Sequence, residues 1–356
     1  MIVNSIYQLL NAINLKNTIL DDEIVDIVLT DVTPKLKDYI PRLNNCKMFR
    51  KVIFASVFQL NQEHAAAKEP GVSECFKNSA SILKWYLNEE LDIYDYVYFA
   101  NYDIFTRILA YHWYDIPCEF IAFEDGFSSY VINYLDYKRA KINQHTDGIK
   151  IKDKVKRIYL YEPHLAVRND NIRNIQLPKI DRNNKELIEI LNYVFDYQGM
   201  KDCFKFIFLE QSFRAEGIKG NDIELMKECV TEVGYEQFIV KPHPRNIENR
   251  SFNLGISSKS IGDAPWELFL LNEDFNNKIV ITVCSNAALT SRIVFGMDIN
   301  TVMLYELYNG KVLWKEDNIL KQYLKKFKKQ FAGENYYIPR TIFELRNTLK
   351  YLEHKI

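Results

Sequence analysis

The chain has 356 residues, 47% of them hydrophobic and 26% charged, with 46 Lys and Arg against 47 Asp and Glu for a net charge of −1. That length is too great for one ordinary core and predicts two domains. The balanced charge argues against a general nucleic-acid binder, which carries a strong basic excess.

The first half alternates short apolar runs with helical periodicity. Met1 to Val3 is a clipped apolar start, Asn4-Ser5 stands where a helix N-cap belongs, and Ile6 to Ile13 follows with helical spacing. Ile24 to Thr30, Lys51 to Ser56, Asp95 to Ala100, Cys118 to Phe123 and Val155 to Tyr161 read as buried strands. Ser73 to Asn88 and Asp103 to Trp113 read as helices between them. Polar residues and a proline around Leu177 to Asn184 mark the domain boundary, predicting domains of 1–180 and 181–356.

The second half repeats the alternation. Lys205 to Leu209, Phe238 to Lys241, Lys278 to Val283 and Asn300 to Tyr305 are the expected strands. Helices are expected over Lys185 to Tyr197, Asp222 to Val233 and Ala264 to Leu271, and from the Ser285-Asn286 turn onward. The reading is α/β throughout: two Rossmann-like domains facing a cleft, with ligands at the carboxyl ends of the strands. Near the end, Leu320, Tyr323, Leu324, Phe327 and Phe331 share a helical face and lysines fill the rest. That pattern fits a core helix with a solvated basic face, or a helix lying on an anionic membrane. The last helix is expected to pack back on the first domain.

Six cysteines, Cys46, Cys75, Cys118, Cys203, Cys229 and Cys284, form no CxxC pair, which excludes the usual zinc and redox arrangements. No apolar run approaches the ~18 residues of a membrane span, and no signal-peptide pattern opens the chain. A cytoplasmic protein, peripheral on the membrane at most, is the expectation.

Four stretches carry chemistry. In Phe238-Ile239-Val240-Lys241-Pro242-His243-Pro244-Arg245 a strand runs into a histidine held between two prolines and flanked by two cations. Each proline fixes its own φ and extends the residue before it, so His243 sits on a stiff turn suited to an oxyanion. In Phe123-Glu124-Asp125-Gly126-Phe127-Ser128-Ser129 a strand ends in two carboxylates, then a glycine that permits a strained turn. One of those carboxylates suits a general base; a charge that merely complements a helix dipole is the plainer reading. Val283-Cys284-Ser285-Asn286-Ala287 runs from a strand into a helix start, where free N–H groups bind phosphate or where Ser and Asn simply cap. Phe208-Leu209-Glu210-Gln211-Ser212 leads to Glu216, and Glu210 and Glu216 are further carboxylate candidates. There is no P-loop lysine motif, no GxGxxG after a strand, no HExxH, no GxSxG and no DxD at a strand end. The remaining histidines lack metal-ligand spacing.

Together these stretches resemble bacterial sialyltransferases, particularly glycosyltransferase family fifty-two and the related capsular polysialyltransferases. Glu124-Asp125-Gly126 is similar to their acidic-acidic-Gly motif and His243-Pro244 to their His-Pro motif, with Ser285 a loose match to a later serine motif and Ser291 the second choice. The opening Val3-Asn4-Ser5-Ile6-Tyr7-Gln8-Leu9-Leu10-Asn11-Ala12-Ile13 also looks like the family's first strand-loop-helix. The resemblance implies a GT-B fold and inverting, metal-independent transfer of sialic acid from CMP-sialic acid to a terminal sugar of a bacterial surface glycan. It implies no cofactor, a nucleotide-sugar donor and an oligosaccharide acceptor as partners, and a chain able to dimerise. His243 with Lys241, Pro244 and Arg245 would serve the donor phosphate, with Gln211, Ser212, Ser285 and Asn286 as further donor contacts. Glu124, Gly126, Ser5 and Tyr7 would lie on the acceptor side. For the base, Asp125 follows from some sialyltransferase families. Family fifty-two points instead to a carboxylate shortly before the His-Pro turn, where this chain offers Glu216 and Asp222. Two other readings fit the same turns: a phosphotransferase using a CDP-glycerol or CDP-ribitol donor, and a non-catalytic sugar-nucleotide-binding partner.

Overall fold

The computed structural model describes residues 1–65, 75–87, 91–133, 151–199, 204–243, 245–246, 250–258, 264–331, 333 and 335–355. The chain divides into two compact units. One holds Met1–Pro178 with Glu189–Val194, and the other holds Lys179–Ile188 with Phe195–Ile356.

The first unit is built on seven parallel strands: β1 (Ile2–Val3), β2 (Ile27–Thr30), β3 (Val52–Ala55), β4 (Tyr96–Phe99), β5 (Glu119–Phe123), β6 (Val155–Leu160) and β7 (Arg173–Gln176). Their order is β3-β2-β1-β4-β5-β6-β7, with register such as Ile2 opposite Val28 and Val97 opposite Phe120. The winding reverses between β1 and β4, and the crevice outside such a reversal is where these sheets hold ligands. Ile27–Thr30 is buried at every position, which is why it reads as a continuous apolar run and not an alternating one. The strand begins later than the apolar run does, because Ile24 is 78% exposed. Helix Ile6–Thr18 starts at Ser5, whose Oγ accepts the Gln8 N–H, and helix Ile104–His112 starts at Asp103, whose carboxylate accepts the Thr106 N–H. Of the helix expected over Ser73 to Asn88, Ser79–Leu87 is helical and residues 73–74 and 88 lie outside the described residues.

The second unit has six parallel strands: β8 (Phe206–Leu209), β9 (Phe238–Lys241), β10 (Ser257–Ser258), β11 (Ile279–Thr282), β12 (Asn300–Met303) and β13 (Tyr336–Tyr337). The order β10-β9-β8-β11-β12-β13 repeats the winding of the first unit, with its reversal between β8 and β11. Phe206–Leu209 and Ile279–Thr282 are buried throughout and pair in register, Ile279 opposite Phe206. After β11, helix Ala287–Phe295 ends at Gly296, whose φ of 68° is left-handed and closes the helix.

Helix Asn318–Phe331 spends its apolar face inside this unit: Leu320, Tyr323, Leu324 and Phe327 are all buried. It is a core helix with a solvated basic face. The last helix, Ile342–Lys355, runs along helix Asp222–Val233, where Arg346 pairs with Glu228 at 2.7 Å and Lys350 with Glu232 at 3.2 Å. Among the described residues no helix is long and apolar enough to cross a membrane.

Candidate functional site

In the second unit the exits of β9, β8 and β11 are neighbours along one sheet edge. The His243 turn leaves β9 and is fastened to the exit of β8. Buried Glu210 accepts the His243 N–H at 3.0 Å through Oε2, and its own N–H donates to the Lys241 carbonyl at 3.0 Å. Asn246 adds two more ties, its Nδ2 donating to the Gln211 carbonyl at 2.8 Å and its N–H to the His243 carbonyl at 2.9 Å. Glu210 therefore anchors the turn and is not an open carboxylate. Pro244 lies outside the described residues.

The imidazole has a defined tautomer. Nδ1 accepts the Arg245 N–H at 3.2 Å, which leaves the proton on Nε2. Burial, then the charges of Arg245 and Lys241, push the His243 pKa down to about 4, and Glu216 pulls weakly the other way. At neutral pH this group is a hydrogen-bond donor, not a proton source. Burial likewise lowers the Lys241 pKa, opposed by the Glu267 carboxylate. Glu267, in the first turn of helix Trp266–Asn272, is itself buried and its pKa is raised by that burial. Its sequence signal, a proline and an acid at a helix start, is indistinguishable from ordinary dipole complementation.

Glu216 is committed elsewhere. It lies 3.1 Å from the exposed Arg245 guanidinium and accepts the Ser212 hydroxyl at 2.5 Å. Asp222 pairs with Arg250 at 3.2 Å. At the β11 exit, the Thr282 hydroxyl donates to the Leu209 carbonyl at 2.9 Å and accepts the Ser285 N–H at 3.2 Å. Ser285 Oγ accepts the Ala287 N–H at 3.3 Å, and Cys284 Sγ donates to Gln211 Oε1 at 3.5 Å. Asn286 Oδ1 is buried at the helix start with no hydrogen-bond partner among the described residues. Gln211, Ser212, Lys241, His243, Arg245, Ser285 and Asn286 are thus gathered on the exits of three adjacent strands. A bound phosphate there would meet a neutral N–H donor, a cation and a helix N-terminus.

In the first unit, the two adjacent carboxylates have opposite fates. Glu124 is 1% exposed and enclosed by three donors: the Tyr7 hydroxyl at 3.2 Å on Oε1, and the Tyr130 hydroxyl at 2.5 Å and Tyr161 N–H at 2.8 Å on Oε2. Burial pushes its pKa up to about 7, against the pull of those donors. Read from sequence as an acceptor-side contact, Glu124 is instead an internal strut, and Tyr7 is its partner. Ser5 caps the first helix and Gly126 turns the chain at φ 71°. Asp125 is half-buried, and no cation pairs with it among the described residues. Burial raises its pKa to about 6, and a hydrogen bond from Gln8 works against that rise. Gln8, given no role of its own in the sequence reading, is 1% exposed and its Oε1 accepts the Asn4 N–H at 2.7 Å. Among the described residues no group of three His, Cys, Asp or Glu side chains is arranged to hold a metal ion.

No protein-family model matches the chain, and no curated protein matches it significantly. Solved structures do. A Listeria monocytogenes protein described as a UDP-N-acetylglucosamine 2-epimerase is similar over 99% of this chain and 86% of its own, with a TM-score of 0.53 at 11% identity. UDP-GlcNAc 2-epimerase from Methanocaldococcus jannaschii matches over 93% of this chain and 92% of its own, with a TM-score of 0.48 and 10% identity. The glycotransferase of kitacinnamycin matches over 97% and 86%, with a TM-score of 0.48 and 11% identity. The first of these shows the fold, a GT-B-like pair of Rossmann units; the other two add no weight.

Proposed function

We propose that the protein is a nucleotide-sugar-dependent glycosyltransferase of the sialyltransferase type, transferring sialic acid from CMP-sialic acid to a sugar hydroxyl of a surface glycan. The observation that carries this reading is the neutral His243 Nε2–H, held beside Lys241 at the switch crevice of the second unit. In transfer, the acceptor oxygen bonds to the anomeric carbon as the bond from that carbon to the phosphate oxygen breaks. The electron pair goes to the phosphate, and the acceptor hydroxyl proton goes to a carboxylate. His243 and Lys241 stabilise the charge that grows on the leaving phosphate, and the start of helix Ala287–Phe295 receives it. Asp125 is our choice of base, because an ionised carboxylate with a pKa of about 6 is basic enough to accept that proton. Glu216, neutralised by Arg245 and bound by Ser212, is a weaker choice.

A second reading, favoured by the fold likeness to a protein described as a UDP-N-acetylglucosamine 2-epimerase, is chemistry on a UDP-sugar. The test is incubation with CMP-sialic acid, UDP-GlcNAc and CDP-glycerol, reading free nucleotide and sugar epimers. CMP release from CMP-sialic acid that depends on an acceptor supports the first reading. Release from CDP-glycerol alone, or epimerisation of UDP-GlcNAc, replaces it.

A further inference from the structure

A second charged feature sits on the second unit, away from the His243 turn. Lys321, Lys325 and Lys328 stand at helical positions i, i+4 and i+7 of helix Asn318–Phe331, a stripe about 10 Å long. With Tyr305 and Glu306, which follow β12, and Trp314 and Lys315 of helix Leu313–Glu316, they line a cavity of about 600 Å³. Lys315 Nζ donates to the Tyr308 carbonyl at 2.8 Å. The ammonium groups of Lys321, Lys325 and Lys328 make no hydrogen bond or ion pair among the described residues. Among the described residues Glu306 is the one carboxylate lining the hollow.

In a chain of net charge −1, four lysines against one carboxylate make the lining a local excess of positive charge. Like charges at i and i+4 weaken a helix, so the stripe is held against its own repulsion. The Tyr305 and Trp314 rings, 5.7 Å apart, form part of the wall. Tyr305 leaves β12, the neighbour of β11, so the hollow opens on the same sheet edge as the nucleotide crevice. A flat lipid surface would meet the crest of the helix, whereas a recess suits a ligand that enters it.

We propose that this hollow is a binding site for an oligosaccharide carrying several carboxylate or phosphate groups. Spaced anions along a glycan match point-like ammonium charges about 10 Å from end to end. The site is separate from the donor chemistry, and its test uses no nucleotide. Isothermal titration at low salt compares a hexasaccharide of alternating glucuronate and N-acetylglucosamine with a neutral chitin hexasaccharide. The expected result is binding of the anionic chain only, weakened about tenfold by K321Q/K325Q/K328Q and by raised salt. The three lysines are exposed, so the variant should keep its circular dichroism melt; if it does not, K325Q alone supplies the comparison. Equal binding by variant and parent overturns the proposal. So does preference for phosphatidylglycerol vesicles over the hexasaccharide, which would make the stripe a membrane contact.

Discussion

A neutral His243 makes a definite statement about pH. With its pKa held at about 4, about one molecule in a thousand carries the imidazolium at pH 7. The Nε2–H is present in the neutral ring, so donation to a phosphate persists unchanged to alkaline pH. The proposed base behaves differently. With a pKa of about 6, Asp125 is about a tenth ionised at pH 5 and about nine-tenths ionised at pH 7. The kcat/KM for the donor, which reports the free enzyme, should therefore rise about tenfold between pH 5 and pH 7 and stay level above it. Initial rates of CMP release with saturating acceptor, taken from pH 4.5 to 9, would draw that curve. His243→Ala should lower it by about 10²- to 10³-fold, the loss of one preorganised donor, without changing its shape. His243→Gln, whose amide can also donate, should recover part of the loss. Asp125→Asn should cost about 10²- to 10⁴-fold and abolish the acid limb, with CMP binding intact. An alkaline limb between pH 6 and 8 that disappears in His243→Gln would show the histidine passing a proton, and would sink the tautomer argument.

Two other substitutions follow from the same geometry. Glu210→Ala removes the acceptor of the His243 N–H and should loosen the turn by about 1.5 kcal/mol, lowering kcat/KM by about tenfold or more with the melting temperature little changed. Glu210→Gln, which keeps a carbonyl oxygen there, should restore most of that activity, and equal losses in the two variants would remove Glu210 from its anchoring role. Glu124→Gln concerns stability: a carboxyl whose folded pKa is raised to about 7 supports the fold below its ordinary value, and that support is lost as pH climbs through about 7. Differential melts should show Glu124→Gln near the parent at pH 4.5 and more stable than it at pH 8, while Glu124→Ala should cost about 3 kcal/mol at pH 4.5 by orphaning three donors and clearly less at pH 8, where the parent has lost its own support.

The strands legible in the sequence are those buried on both faces. Phe206–Leu209 and Ile279–Thr282 are uninterrupted apolar runs because no position along them meets water. Arg173–Gln176 escaped notice because it is an edge strand with mostly exposed polar side chains, and Ser257–Ser258 and Tyr336–Tyr337 are too short to show a pattern. The site was legible to the same degree. The His243 turn is written in consecutive residues, since prolines act on their immediate neighbours. Glu210's task is not, because it joins residues 33 positions apart that meet only when β8 and β9 lie side by side. Nor could sequence separate Glu124 from Asp125. Their difference comes from Tyr7, Tyr130 and Tyr161, which converge from three segments on Glu124 and leave Asp125 with the Gln8 amide.

The two sheets are wound in the same order, yet their switch crevices are not equivalent. In the first unit the space beyond β1 and β4 is laced by the protein itself. Asn4 Nδ2 donates to Asp103 at 2.9 Å, Asn4 Oδ1 accepts the Thr30 hydroxyl at 2.8 Å, and the Asn4 carbonyl accepts the Thr33 hydroxyl at 2.7 Å. In the second unit the corresponding tie, Thr282 to Leu209, is made between the strand ends. Gln211, Ser285 and the Asn286 oxygen, unpartnered among the described residues, then stand at the mouth. A ligand entering the first crevice would have to break three hydrogen bonds. One entering the second could donate to the Asn286 oxygen, which has no partner among the described residues.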